Sequence, residues 1–322
     1  MLAWATAALI VAVVASVCIG GMPTTPLDVA TALFAPTGSE KDLAIIGLRI
    51  PRTVLGIVVG ACLGLAGTLV QGHTRNPIAD PGLLGIFQGA ALAIVLVAAF
   101  GNPSGPVQAM FAFGGALAAS ALVFAIAASV RGGATPITLV LAGVAVSALC
   151  GALVTTVVLL NMDALEALRF WQVGSLATRN GAIAYMWPFA VIGALLAIAN
   201  APALNALALG PQSAASLGVS LRRARVLGIA TITLLAGTAV MLAGPIAFAG
   251  LIVPHIARAI VGADYRWQMP ASALIGSAVV LLADTIGRVI ARPGELSVAV
   301  VLAVAGAPFF IMLARRRRMV SL

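Results

Sequence analysis

Long apolar runs, broken at short intervals by charge, Pro or Gly, fill most of the chain. A membrane-spanning helix needs about 20 apolar residues. Marking the interruptions predicts ten such segments: 2–20, 53–71, 83–100, 107–130, 137–160, 183–200, 224–243, 246–262, 269–290 and 297–314. The expected fold is an all-α polytopic membrane protein of about ten transmembrane helices, a single membrane domain over residues 1–322. Segments 224–243 and 246–262 are joined by almost nothing, so one of them is expected to be short or tilted. The longest connection, 21–50, contains Thr25-Pro26-Leu27-Asp28, a helix-start pattern that predicts a short helix on the outer surface. No positive residue precedes the first apolar run, as a signal peptide would require, and Val17 before Cys18 is bulky for a lipoprotein cleavage site. Residues 2–20 therefore read as the first membrane helix.

Composition strengthens this picture. Charged residues make up 8% of the chain, against about 25% in soluble proteins, which rules out a water-facing surface all round. The 34 Gly suit helices that pack closely in a membrane. A net charge of +9 would suggest nucleic acid in a soluble protein. Here there is one Lys, Lys41, and no basic stripe interleaved with aromatics, so no nucleic-acid partner is expected.

Lys and Arg accumulate on the cytoplasmic side of membrane proteins. With a cytoplasmic N-terminus and ten spans, that side holds Arg75, Arg131, Arg222, Arg223, Arg225, Arg258, Arg266 and Arg315 to Arg318, against Asp80 and Asp264. The other side holds Lys41, Arg49, Arg52, Arg169, Arg179, Arg288 and Arg292, against seven acids. The split of +9 against 0 predicts that both termini are cytoplasmic.

Little in the chain suggests catalysis. Cys18, Cys62 and Cys150 lie far apart in apolar runs and read as small buried hydrophobes. A metal site on His73 and His255 would need two further ligands, and no carboxylate pair or Ser/His/Asp set is present. No catalytic residue, metal or cofactor site is expected on this chain. One weak echo stands out: Ala66-Gly67-x-x-Val70 leads to Arg75 over the same distance as Ala249-Gly250-x-x-Val253 leads to Arg258.

Three stretches carry candidate function. Gln71 to Leu84, with Asn76, Pro77, Asp80 and Pro81, breaks a run at membrane depth. Irregular backbone there must be covered by protein or line a water-filled cavity, so it reads equally as a broken helix beside a path or as a cytoplasmic turn. Leu204 to Val219 is punctuated by Gly210, Pro211 and Gly218, which frame a two-turn helix. With Leu207, Leu209 and Leu217 it could dock a partner, although composition alone favours a solvated connector. The external Arg49, Arg52, Arg288 and Arg292 could meet acidic residues of a partner or anchor lipid headgroups. Asp284, one helical turn before Arg288, is expected to pair with it, because an unpaired carboxylate in a membrane is costly.

These stretches, with others in order, resemble a known family. The motifs are Leu48-Arg49-Ile50-Pro51-Arg52-Thr53, TRNPIADPGLLG from Thr74, LAGVAVSAL from Leu141, RFWQVGSL from Arg169, LNALALGPQSAASLGV from Leu204, GPIAFAGLIVPHIAR from Gly244, ADTIGR ending at Arg288 and GAPFF from Gly306. They resemble the permease subunits of ATP-binding-cassette importers for ferric siderophores, haem and cobalamin, most of all those for ferric enterobactin-type siderophores. The resemblance implies a bacterial inner-membrane subunit that pairs with a second permease, identical or different. It also implies two cytoplasmic ATPase subunits that bind ATP, and an external binding protein that delivers ferric siderophore.

In this light 205–219, with Leu207, Leu209, Gly210, Ser213, Leu217 and Gly218, becomes the ATPase-coupling helix. Arg49, Arg52 and Arg288 match positions that dock the binding protein. The Gly132-Gly133-Ala134-Thr135-Pro136 turn and Thr138 lie where the family has its cytoplasmic gate.

Overall fold

The computed structural model describes residues 2–101, 105–130, 134–177, 183–292 and 294–318, and no strand occurs among them. The sequence-derived positions Arg131, Gly132, Gly133 and Arg179 lie outside the described residues. In chain order the helices are α1 (Leu2–Cys18), α2 (Pro26–Phe34), α3 (Glu40–Asp42), α4 (Ile50–Thr74), α5 (Ile86–Gly101), α6 (Gly105–Ser129), α7 (Pro136–Leu160), α8 (Met162–Gln172), α9 (Ile183–Ala208), α10 (Pro211–Ser216), α11 (Leu221–Ala243), α12 (Ala249–Val261), α13 (Tyr265–Ile290) and α14 (Val298–Arg318). Each predicted apolar segment coincides with one of them. Among the described residues, six helices can cross a membrane by length and composition: Glu40–Thr74, α6, α7, α9 from Tyr185, α11 and α13. The apolar helices α1, α5, α12 and Val298–Met312 are shorter. Of the closely joined pair, α12 is the short member.

Local chemistry sets several boundaries. Thr25 caps α2 as expected: its side chain accepts from Asp28 N–H while the Asp28 carboxylate accepts from Thr25 N–H. The second long helix begins at Glu40 rather than near residue 53. Ser39 and Asp42 form a reciprocal cap there, and Asp42 also accepts from the Thr37 hydroxyl at 2.8 Å. A π-helical stretch, Leu43–Arg49, then leads into α4 and turns Arg49 inward. Helix α8 falls where the sequence predicted only a connection. Asn161 caps it, and Ala164, Leu168 and Trp171 form its buried face.

Helix α4 is the centre of the bundle and packs on α9, α11, α12 and α13. Its glycines make this possible. A Cβ on Gly56 would strike Leu281, one on Gly60 the Gly276 carbonyl oxygen, and one on Gly64 the Ser272 carbonyl oxygen. These pairs run in opposite directions along α4 and α13, so the two helices are antiparallel at backbone contact, the small-xxx-small arrangement of membrane helices. Hydroxyls lock the seam: Thr68 donates to Ser272 at 2.7 Å and Ser277 donates to the Ile57 carbonyl at 2.8 Å. The sequence echo has a structural counterpart. Gly67 of α4 meets the Gly250 carbonyl of α12, and Arg75 and Arg258 line one cavity of about 290 Å³.

Replacing Gly60 by Val should lower stability in detergent by about 2 kcal/mol or more, because neither backbone can move away. Gly114→Ala, where a Cβ meets nothing within 4 Å, should change it by less than about 0.5 kcal/mol. Thermal unfolding followed by circular dichroism reads both; equal effects would contradict the seam.

Candidate functional site

One end of the bundle gathers the arginines that the sequence singled out. Arg49, Arg52 and Arg288 line a cavity of about 320 Å³ together with Glu295, Met22 and Leu48. Arg49 is buried, and its guanidinium donates to the carbonyls of Val17, Cys18 and Met22 and to the Thr24 hydroxyl, at 2.6 to 3.1 Å. It thus pins the turn after α1 to the start of α4. Asp284 is fully buried at 0% exposure. Arg52 grips it with two nitrogens, Nη2 to Oδ1 at 2.8 Å and Nε to Oδ2 at 3.0 Å. The expected partner Arg288 adds an ion pair, Nε to Oδ2 at 3.2 Å, whose angle does not make a hydrogen bond. Instead Arg288 donates to the Ser16 carbonyl and to the hydroxyls of Ser16 and Thr285. Sequence reasoning found the local Arg288 partner and missed the stronger one, 232 residues away in the chain.

The charges do not cancel. Three guanidinium groups face two carboxylates, and of these carboxylates only Glu295 reaches solvent: its side chain is 42% exposed and its Oε2 lies 2.7 Å from Arg52 Nη1. The cavity is therefore cationic, with one replaceable carboxylate at its mouth. Arg292 lies nearby and donates to the Gly20 carbonyl at 2.6 Å.

The opposite end holds the interrupted segment. Helix α4 stops at Arg75, which takes a left-handed conformation with φ 51°. The Asn76 side chain accepts from Ile78 N–H at 3.1 Å. Asp80 accepts from Gly82 N–H at 2.8 Å and opens a single 3₁₀ turn, Pro81–Leu84, that ends at Gly85 with φ 75°. Pro77 and Pro81 are buried. The turn lies against α7 so closely that a Cβ on Gly143 would strike the Leu83 carbonyl, and Pro81 abuts Gly250 of α12. The segment is thus partly covered by protein, with Pro77, Ala79 and Pro81 buried and Arg75 and Ile78 exposed.

Beside it, α10 stands between Gly210 (φ 106°) and Gly218 (φ 81°), conformations that favour glycine. Leu209, Ser213 and Leu217 are exposed, while Ala214 anchors the helix inside. Leu207 departs from the expectation: α9 continues to Ala208, and this turn of helix carries Leu207 into the core. Asn205 fastens this end to α13 by donating to Asp264 at 2.6 Å and accepting from Tyr265 N–H at 2.9 Å. The Arg266 backbone N–H, and then the Asn205 amide, hold Asp264 below the usual carboxylate pKa. Thr135 and Thr138 form a reciprocal cap at the start of α7, and Arg225 holds the Ala134 carbonyl at 2.9 Å. Asn76, Pro77, Asp80, Pro81, the Thr135–Thr138 cap and α10 thus share one end, and the three arginines the other.

Apolar helices of membrane length, packed around the buried α4 and α11, define a multi-pass membrane protein. The FecCD transport family matches residues 8–316, and the chain belongs to it. It is 46% identical to the ferric enterobactin transport system permease protein of Escherichia coli (strain K12) over 96% of this chain and 93% of that one. It is 38% identical to the hemin transport system permease protein of Yersinia pestis, covering 85% of this chain and 83% of that one. Among solved structures it superposes with a TM-score of 0.84 and 27% identity, over 98% of both chains, on a transporter described as the metal-chelate ABC type in an inward-facing conformation.

The Asp284 cluster separates buried from exposed charge. Asp284→Asn leaves the buried Arg288 and the half-buried Arg52 short of a counter-charge and should cost about 3–5 kcal/mol. Glu295→Gln, at the exposed pair, should cost about 1 kcal/mol or less. Chemical unfolding in micelles measures both, and a mild Asp284→Asn would contradict this assignment.

Proposed function

We propose that this chain is the membrane-spanning subunit of an ATP-binding-cassette importer that carries ferric siderophore across the bacterial inner membrane. The observation that carries this reading is the 46% identity to a ferric enterobactin permease over nearly the whole chain. Haem is the second reading, favoured by the 38% identity to the hemin permease; cobalamin is a third within the resemblance. An ion-coupled secondary transporter is a weaker fit, since such proteins use ionisable groups inside the membrane and Asp284 is held by two arginines.

In this reading residues 1–322 form one permease domain with ten spans, and both termini are cytoplasmic. The charge split of +9 against 0 supports that orientation. The chain performs no catalysis and holds no cofactor; ATP is bound and hydrolysed by two ATPase subunits. A second permease, identical or different, completes the path. Each ATPase takes up α10, whose exposed Leu209 and Leu217 flank a short helix with glycine hinges. The interrupted segment at 76–81 and the Thr135–Thr138 cap border the inner end of the path. The external binding protein docks over the arginine cavity, where an acidic side chain displaces Glu295 from Arg52. Arg49 and Arg288 contribute positive potential there without leaving their internal partners.

One assembly assay tests both contacts. The double variant Leu209→Glu, Leu217→Glu should retain roughly tenfold less ATPase on purification while still binding the external protein. Glu295→Gln should retain the ATPase and hold the binding protein more tightly, with a steeper salt dependence. Unchanged ATPase retention in the first variant, or weaker docking in the second, would contradict the proposal.

A further inference from the structure

Two cavities lie end to end along α11, the second reaching Ala134 before α7, and their chemistry changes sharply from one to the other. The first, about 440 Å³, is an apolar groove walled by Leu117, Ala121 and Phe124 of α6, Leu196 of α9, and Ala230 and Leu234 of α11. Its floor offers no free hydroxyl proton to a polar ligand. Thr233 donates to the Ile229 carbonyl, so Ser120 donates to Thr233, at 2.5 Å. The far end is closed where α6 meets α9: the Phe113 and Phe189 rings lie 5.2 Å apart, and Phe113 rests against Gly237.

The second cavity, about 400 Å³, shares Phe124 and Val226 with the first and is lined by Arg222 and Arg225 at the start of α11. Spaced by three residues, these two side chains lie on one side of the helix. Arg225 spends one nitrogen on the Ala134 carbonyl, and Arg222 is exposed.

The occupant must satisfy both halves. From Arg222 to Leu234 the helix rises roughly 18 Å, close to the ~15 Å depth of one bilayer leaflet. A soluble anion has no use for the apolar groove, and a neutral lipid has none for two arginines. An extended peptide would bring backbone groups that the groove leaves unsatisfied. We propose that this cleft binds an anionic phospholipid, with one acyl chain along α11 and the phosphate between Arg222 and Arg225. The site requires only that α6, α9 and α11 lie in a membrane, and it is independent of what the permease carries. It meets the transport reading at one point, because α11 begins directly after α10 and Arg225 also holds the turn before α7.

Native mass spectrometry of the full chain tests this, in micelles carrying phosphatidylglycerol or phosphatidylcholine of the same acyl length. The wild type should retain one phosphatidylglycerol per chain with a preference on the order of tenfold. Arg222→Gln should bring the preference near parity, and Arg222→Lys should keep most of it. Ala121→Trp, which fills the groove from an exposed position, should lose both lipids while its helicity and melting stay those of the wild type. If Ala121→Trp fails to fold, the Arg222 pair still decides. Equal retention of the two lipids by the wild type, an undiminished preference in Arg222→Gln, or displacement of the lipid by inorganic phosphate alone would each overturn the proposal.

Discussion

Backbone contact between α4 and α13 is the constraint on which the other contacts depend. Gly56, Gly60 and Gly64 recur every four residues, one stripe of a helix; Gly60 and Gly64 meet the α13 backbone where a side chain would not fit, and Gly56 meets the Leu281 side chain. The register they set, 56 with 281, 60 with 276 and 64 with 272, continues outward to 52 with 284. Arg52 and Asp284 are therefore brought together by the same alignment that the glycines permit, and the buried ion pair is the polar end of an otherwise apolar seam. Helix α1 joins the seam through Ser16, which accepts from Arg288 and hydrogen-bonds to Thr53 at 2.8 Å.

A bundle built this way suits the proposed ATP-driven import. The central helices are held by contacts that leave no room for sliding, since interfaces packed to backbone contact deform in discrete steps rather than continuously. The element proposed to meet the ATPase is different in kind. Helix α10 is short, flanked by two glycines in left-handed conformations, and exposes Leu209 and Leu217. Movement there can be passed to α9 and α11, between which it is strung and both of which pack on α4.

Much of this was legible in the sequence, for reasons that differ by element. Apolar runs located the long helices because hydropathy is a local property. The caps at Thr25 and Thr135 sit on short-range patterns, and the first was recognised as a helix start. Helix α8 was missed because Asp163, Glu166 and Arg169 made it look like a loop, although Ala164, Leu168 and Trp171 at helical spacing were the available signal. The grip of Arg52 on Asp284 could not be read, because partners 232 residues apart leave no local trace. The burial of Arg49 was equally hidden, since most of its acceptors are backbone carbonyls. Leu207 was misassigned by the rotation of one helical turn, with α9 running on past Pro202 to Ala208.

The most direct test of ATP-driven import is uptake by proteoliposomes. The chain is reconstituted with its permease partner, its ATPase and its binding protein, with ATP enclosed on the ATPase side. Radiolabelled ferric enterobactin should accumulate against its gradient only when ATP and binding protein are both present. Accumulation driven by an imposed proton or sodium gradient without the ATPase would contradict the mechanism.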